Sequence, residues 1–199
     1  MIFLKEEKMK MILTHSSRWL QNIHAITFIL LTQTSLAQVS VSANGIQFDE
    51  GNFKVIEVEG SQDELYTRAL SCFHSIYQSP KEVLSVVEGN SITVSAKEPN
   101  IISRNRMHQF DLSYSIHFQF KEGKIRVNLP SVKMTTYTRG TGHQQLMITA
   151  NNQLTGGILG IYNEAGKLKS EMAKSDLESF FNAYLADLKK GLVSNQEEW

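Results

Sequence analysis

A single cysteine, Cys72, stands among 199 residues, so neither an intrachain disulfide framework nor a cysteine-based zinc site can be built. A lone thiol of this kind reads as a buried, inert core residue. Proline occurs three times, at Pro80, Pro99 and Pro130, and each position reads as a boundary between elements. There is no excess of either charge: 20 Lys and Arg face 20 Asp and Glu, which argues against a dedicated nucleic-acid binder. The 41% hydrophobic fraction excludes a disordered acidic chain. His-x3-His and His-Glu-x-x-His spacings are absent, as are a full Walker A or dinucleotide pattern and a Gly-x-Ser-x-Gly elbow. No metal site, cofactor or catalytic set is therefore assigned. The length fits one domain with appendages.

What is present begins with an N-terminal segment of export type. Lys5, Lys8, Lys10 and Arg18 outweigh Glu6 and Glu7, and the apolar run Ile23–Leu31 follows. Small residues then stand two positions apart, at Ser35 and Ala37. Basic, apolar and small, in that order, is the anatomy of a cleavable signal peptide. The apolar run is about half of the ~20 residues that a spanning helix needs, and no later run reaches that length. Cleavage after Ala37 is expected, with residues 1–37 as signal peptide and Gln38 as the new terminus. The segment holds four of the 20 basic and two of the 20 acidic residues, leaving 16 against 18, so the exported chain carries −2.

Residues 38–52 read as a polar leader of little periodicity. Phe53–Val58 is aromatic and β-branched and reads as a strand. Ser61-Gln62-Asp63-Glu64 matches a capping box, and Leu65, Ala69, Cys72, Phe73 and Ile76 follow at helical spacing. Carboxylates at Asp63 and Glu64 suit the positive end of the helix dipole and need no catalytic role. Val83–Val87 and Ile92–Ala96 flank the turn Glu88-Gly89-Asn90, and Lys97–Met107 reads as a loop. The strongest strand runs from Phe110 to Phe120, with Phe110, Leu112, Tyr114, Ile116, Phe118 and Phe120 alternating against Asp111, Ser113, Ser115, His117 and Gln119. Lys121–Lys124 turns the chain back into Ile125, Val127 and Leu129. Pro130 then shifts the register, which predicts a bulge or an edge position. Residues 137–166, rich in Gly and Asn, read as an irregular excursion. A second capping box, Ser175–Glu178, opens an amphipathic helix that closes at Gly191, and residues 193–199 read as a disordered tail. The domain at 53–192 is thus α+β: an antiparallel sheet of about five strands with two helices on one face, in the order β-α-β-β-β-β-α.

The string Val55–Arg68, VIEVEGSQDELYTR, resembles the opening of the domain of unknown function 4468 family, found mostly in exported proteins of Bacteroidetes-type bacteria. The matching features are the strand ending in a small residue and the helix start at Asp63, Glu64, Leu65 and Tyr66. The resemblance covers Phe53–Met134, and the last helix by arrangement only. It implies an exported protein with a fold like one half-repeat of the TATA-box-binding protein, and it implies no site residues, since the family's function is unknown.

Two helices can cover only one face of the sheet, so the polar face stays open. Its candidate ligand-binding residues are Ser113, Ser115, His117, Arg126 and Asn128, with His143 from the Gly-containing loop Arg139–His143. The face offers Ser, Gln and Asp and is not basic enough to grip a nucleic-acid backbone. The preferred reading is an exported, non-enzymatic domain that binds an envelope protein or a small polar ligand there. The alternative is a binder of an apolar molecule or envelope lipid, held between sheet and last helix against Phe180, Phe181 and Tyr184. A third reading, a hydrolase using His143 with carboxylates of the excursion, rests on residue types alone.

Overall fold

The structure, a computed structural model, describes residues 38–151 and 158–194. The signal-peptide reading of residues 1–37, the centre of the expected excursion and residues 195–199 lie outside them.

The expected leader is a β-hairpin. β1 (Val39–Ser42) pairs antiparallel with β2 (Gly45–Phe48) and buries Val39, Val41, Ile46 and Phe48. Each strand holds only two apolar residues, too few for a period of two to be counted in sequence. Next come β3 (Phe53–Glu57), α1 (Gln62–Ile76), a single turn α2 (Pro80–Val83) and β4 (Leu84–Val87). Two long strands follow, β5 (Ser91–Asn105) and β6 (His108–Lys121), then β7 (Lys124–Asn128), β8 (Ser131–Thr138), β9 (Gly142–Thr149), β10 (Ile158–Tyr162) and α3 (Glu171–Ser194).

β3 to β10 form one sheet of eight strands, not about five. The three added strands are β8, which Pro130 separates from β7, and β9 and β10, which come from the expected excursion. The loop expected at 97–107 continues β5, with register shifts at Glu98/Ile102 and Ser103/Asn105. The expected excursion supplies the end of β8, then β9 antiparallel to it, then β10 parallel to β9. Parallel pairing leaves no hairpin signal in sequence.

The shift expected at Pro130 is present, and it organises the sheet. Both β7 and β8 pair with the same side of β6. The partners step from Phe118↔Val127 to Ser115↔Ser131, three residues along β6 against four along β7 and β8. That extra residue is a bulge at the proline, where no ladder hydrogen bond can be donated. Beyond the bulge the sheet forks, with β3 continuing from β7 and β9 continuing from β8.

Helices α1 and α3 pack on the apolar face. The capping box at Ser61 forms as expected: Ser61 Oγ accepts from Glu64 N–H, and the Glu64 carboxylate accepts from Ser61 N–H at 2.8 Å. That contact holds the Glu64 carboxyl below its ordinary range. Leu65, Ala69, Cys72 and Phe73 are buried, with Phe73 against Phe118 at 5.1 Å between ring centroids and Tyr66 edge-on to Phe120 at 5.6 Å.

α3 begins one turn earlier than the second capping box suggests. Ser170 Oγ accepts from Ala173 N–H and donates to the Arg104 carbonyl. The residues that looked like a cap hold other strands instead. Asp176 accepts from Ser103 N–H at the β5 irregularity, and Glu178 accepts from Val41 N–H. One turn further, Asn182 Oδ1 accepts from the N–H groups of Gln38 and Val39, while its amide nitrogen donates to the Val39 carbonyl. Gly191, expected to end the helix, lies inside it and lets α3 approach α1: a Cβ there would stand 2.5 Å from Cys72 Sγ.

Candidate functional site

The alternation in β6 survives intact, with every apolar residue from Phe110 to Phe120 buried and the polar residues half-buried on the other face. The register lays that face out in rows across the strands. Gln119 stands between Ser91 and Arg126, His117 beside Thr93, Ser115 between Ser95 and Ser131, and Ser113 between Lys97 and Lys133. Cross-strand hydrogen bonds tie the rows together. Ser95 Oγ and Ser115 Oγ are 3.0 Å apart, and Thr93 Oγ1 and His117 Nδ1 are 2.9 Å apart. Lys97 forms an ion pair with Asp111 at 2.8 Å, and Asn100 N–H donates to the same carboxylate. Lys97 first and Asn100 second hold the Asp111 carboxyl below its ordinary range.

Arg126 and Asn128 flank this strand on β7, as sequence reasoning placed them. The Arg126 guanidinium lies over the Phe53 ring at 4.2 Å from its centroid, and Asn128 Oδ1 is buried with no hydrogen-bond partner among the described residues. His143 shares the face by register but stands at its far end, two rows beyond Ser113. It pairs with Tyr137 at the β8–β9 hairpin, ring edge to ring face at 5.1 Å. The row of Asp111 and Thr135 is eight residues along β6 from Gln119, about 26 Å at ~3.3 Å per residue, and His143 lies beyond that row.

A recess of about 340 Å³ opens at the β6–β7 end of the face, lined by Val55, Asn90, Gln119, Phe120, Lys121, Lys124 and Arg126. Lys121 and Lys124 were not among the candidates drawn from sequence. Counting by twos from Gln119 and Arg126 puts both on the same face, but a lysine at each end of a Glu-Gly turn reads first as turn solvation.

No protein-family model and no curated protein matches this sequence. Solved structures do. A TBP-like protein from Parabacteroides distasonis is similar with a TM-score of 0.50, over 70% of this chain and 90% of that one, at 12% identity. The chain has a TBP-like fold. A DUF4468 family protein from Bacteroides ovatus is also similar, at 17% identity and a TM-score of 0.45, over 70% of this chain and 84% of that one. Identities this low convey the arrangement of elements and no residue roles.

On the helix-covered side of the TBP-like sheet the packing is dense. Phe181 and Leu185 are buried, and the gap they line with Val39, Phe48, Ile116, Val127 and Pro130 measures about 10 Å³, roughly one water's worth. That gap is too small for the apolar ligand of the alternative reading, and the larger opening of about 570 Å³ between β3 and α3, at Leu185 and Lys189, is bordered mainly by polar side chains such as Glu50, Lys54 and Glu57. Tyr184 instead accepts a hydrogen bond from Tyr77, whose hydroxyl also meets that of Tyr114 at 3.0 Å. Among the described residues no group of three or more His, Cys, Asp or Glu converges as metal ligands would, and no helix is long and apolar enough to cross a membrane.

Proposed function

We propose that this protein is an exported, non-enzymatic binding module that holds a polar ligand against the uncovered face of its TBP-like sheet. The observation that carries the reading is the recess in that face, where side chains from β3, β6, β7 and the β4–β5 turn converge. Its volume falls within the ~300–1,000 Å³ of small-ligand sites. The hydroxyl and imidazole groups of Thr93, Ser95, Ser115 and His117 extend the polar surface away from it, already oriented by their mutual hydrogen bonds. Export rests on the order of basic, apolar and small residues before Gln38.

The test is to follow backbone amide resonances while a set of small polar solutes is titrated in. Shifts gathered on β5, β6 and β7, weakened in an Asn90→Ala, His117→Ala, Gln119→Ala triple variant that alters the recess lining and the row beside it, support the reading. Shifts gathered on α1 and α3, or unaffected by the triple variant, refute it.

A further inference from the structure

We propose that the recess takes a small organic anion, bound through carboxylate or phosphate oxygens by Lys121, Lys124 and Arg126; this names the ligand class of the binding face proposed above and rests on that reading. Three cations stand in two adjacent rows, Lys121 opposite Lys124 and Gln119 opposite Arg126. Like charges placed directly across a ladder destabilise it, so solvating the turn with a lysine at both ends carries a cost to the fold. Elsewhere on the same face Lys97 is neutralised within the fold by Asp111 at 2.8 Å, and Lys133 stands as a single cation opposite Ser113 and not in a cluster. The recess cations have no such partner: among the described residues no carboxylate lies within ion-pair distance of Lys121, Lys124 or Arg126. Glu57, opposite Lys124 on β3, is the nearest acidic residue by register and forms no ion pair with it.

The rest of the lining suits an organic body more than a bare ion. Gln119 and Asn90 bring neutral amides, and Val55 an apolar wall. Phe53 supports one face of the Arg126 guanidinium, which restrains the planar fork that reads two oxygens at once. Two ammonium groups beside it add charge without a directional demand.

The experiment is calorimetric titration of the protein with citrate, with glucose 6-phosphate and with neutral glucose, at low and high NaCl, beside a flotation assay with phosphatidylglycerol vesicles. Lys124→Gln, Arg126→Gln and the control Lys133→Gln are titrated in parallel, and their melting curves establish that each is folded. Saturable binding of citrate, of glucose 6-phosphate or of both, weakened by salt, is expected, with glucose silent. Citrate alone would assign the carboxylate source, and glucose 6-phosphate alone the phosphate source. Lys124→Gln and Arg126→Gln should each weaken binding about tenfold, the usual loss for one charge-assisted hydrogen bond, and Lys133→Gln should not. Glucose binding as tightly as the anions, binding to vesicles without binding to soluble anions, or unchanged affinity in both recess variants would overturn the proposal. Neutral solutes that still shift the β5–β7 amides in a triple-variant-sensitive way would then leave the binding face standing without the anion. Silence in both experiments removes both.

Discussion

Replacing Gly191 by alanine sets two effects of known sign against each other. Alanine is favoured over glycine in a helix interior by about 1 kcal/mol. Against that, the new Cβ would stand 2.5 Å from Cys72 Sγ, where an unstrained contact between heavy atoms needs about 3.5–4.0 Å. Cys72 is buried, so the sulfur can retreat only by disturbing the α1–α3 contact, and overpacking of this kind costs about 1–3 kcal/mol. Gly191→Ala should therefore lower stability by about 0–2 kcal/mol. Cys72→Ala removes the clashing atom and leaves Cys72 Cβ, 3.5 Å away, as the nearest contact, an ordinary distance. In that background Gly191→Ala should raise stability by about 1 kcal/mol, although Cys72→Ala alone costs about as much as losing one buried methyl, roughly 1 kcal/mol. Urea denaturation followed by circular dichroism, on the four proteins of the cycle, reads both signs and a coupling of about 1–3 kcal/mol. An equal effect of Gly191→Ala in both backgrounds, or a stabilising one with Cys72 present, would show that the glycine is not there to let the helices meet.

Two further outcomes follow from other parts of the fold. Tyr77→Phe removes the hydroxyl that joins Tyr114 to Tyr184 and should cost about 1–3 kcal/mol, read from the same urea transitions. Burial raises the phenol pKa of Tyr77, Tyr114 and Tyr184 above the ordinary value of about 10. The unfolded chain therefore loses these protons first, so stability should be complete below pH ~10 and fall as pH rises beyond it, with a shallower fall in Tyr77→Phe. At the N-terminus, protein recovered from the periplasm or medium of an expressing host should begin at Gln38; an intact Met1 in the exported fraction would refute the signal reading.

Features decided by neighbours in sequence were legible, and those decided at long range were not. The capping box at Ser61 needs only Glu64, and the two faces of β6 need only its own alternation. The same local signal misled at Ser175, because Asp176 and Glu178 are spent on Ser103 and Val41, far away along the chain. β1 and β2 are held by Asn182 and Glu178 of α3, and nothing within residues 38–52 announces that partner. Of the candidate site, Ser113, Ser115, His117, Arg126 and Asn128 share one face, and the unforeseen β9 sets His143 on that face too, but at its far end from Arg126. Lys121 and Lys124 were hidden for a similar reason. Their meeting with Val55 depends on β3 pairing with β7, two elements separated by both helices α1 and α2 and three strands.

The bulge at Pro130 connects these observations. Without it, β7 and β8 would be one continuous strand along β6, and a single neighbour could cover its outer edge from end to end. The extra residue near Leu129 and Pro130 turns that edge, so that β3 takes the β7 half and β9 takes the β8 half. The polar face is thereby divided into two ends with different borders. At one end the β8–β9 hairpin carries Tyr137 and His143 outward, and Asp111 neutralises Lys97. At the other, β3 brings Val55 and Phe53 beside Arg126, and the short β6–β7 turn sets Lys121 and Lys124 across from each other. A proline that in sequence looked like an interruption thus places an apolar wall and three unpaired cations around one opening. If β7 and β8 were made continuous, the recess should lose its β3 wall and its anion affinity together, while the hydrogen bonds between Ser95 and Ser115 and between Thr93 and His117, formed with β5 alone, should persist.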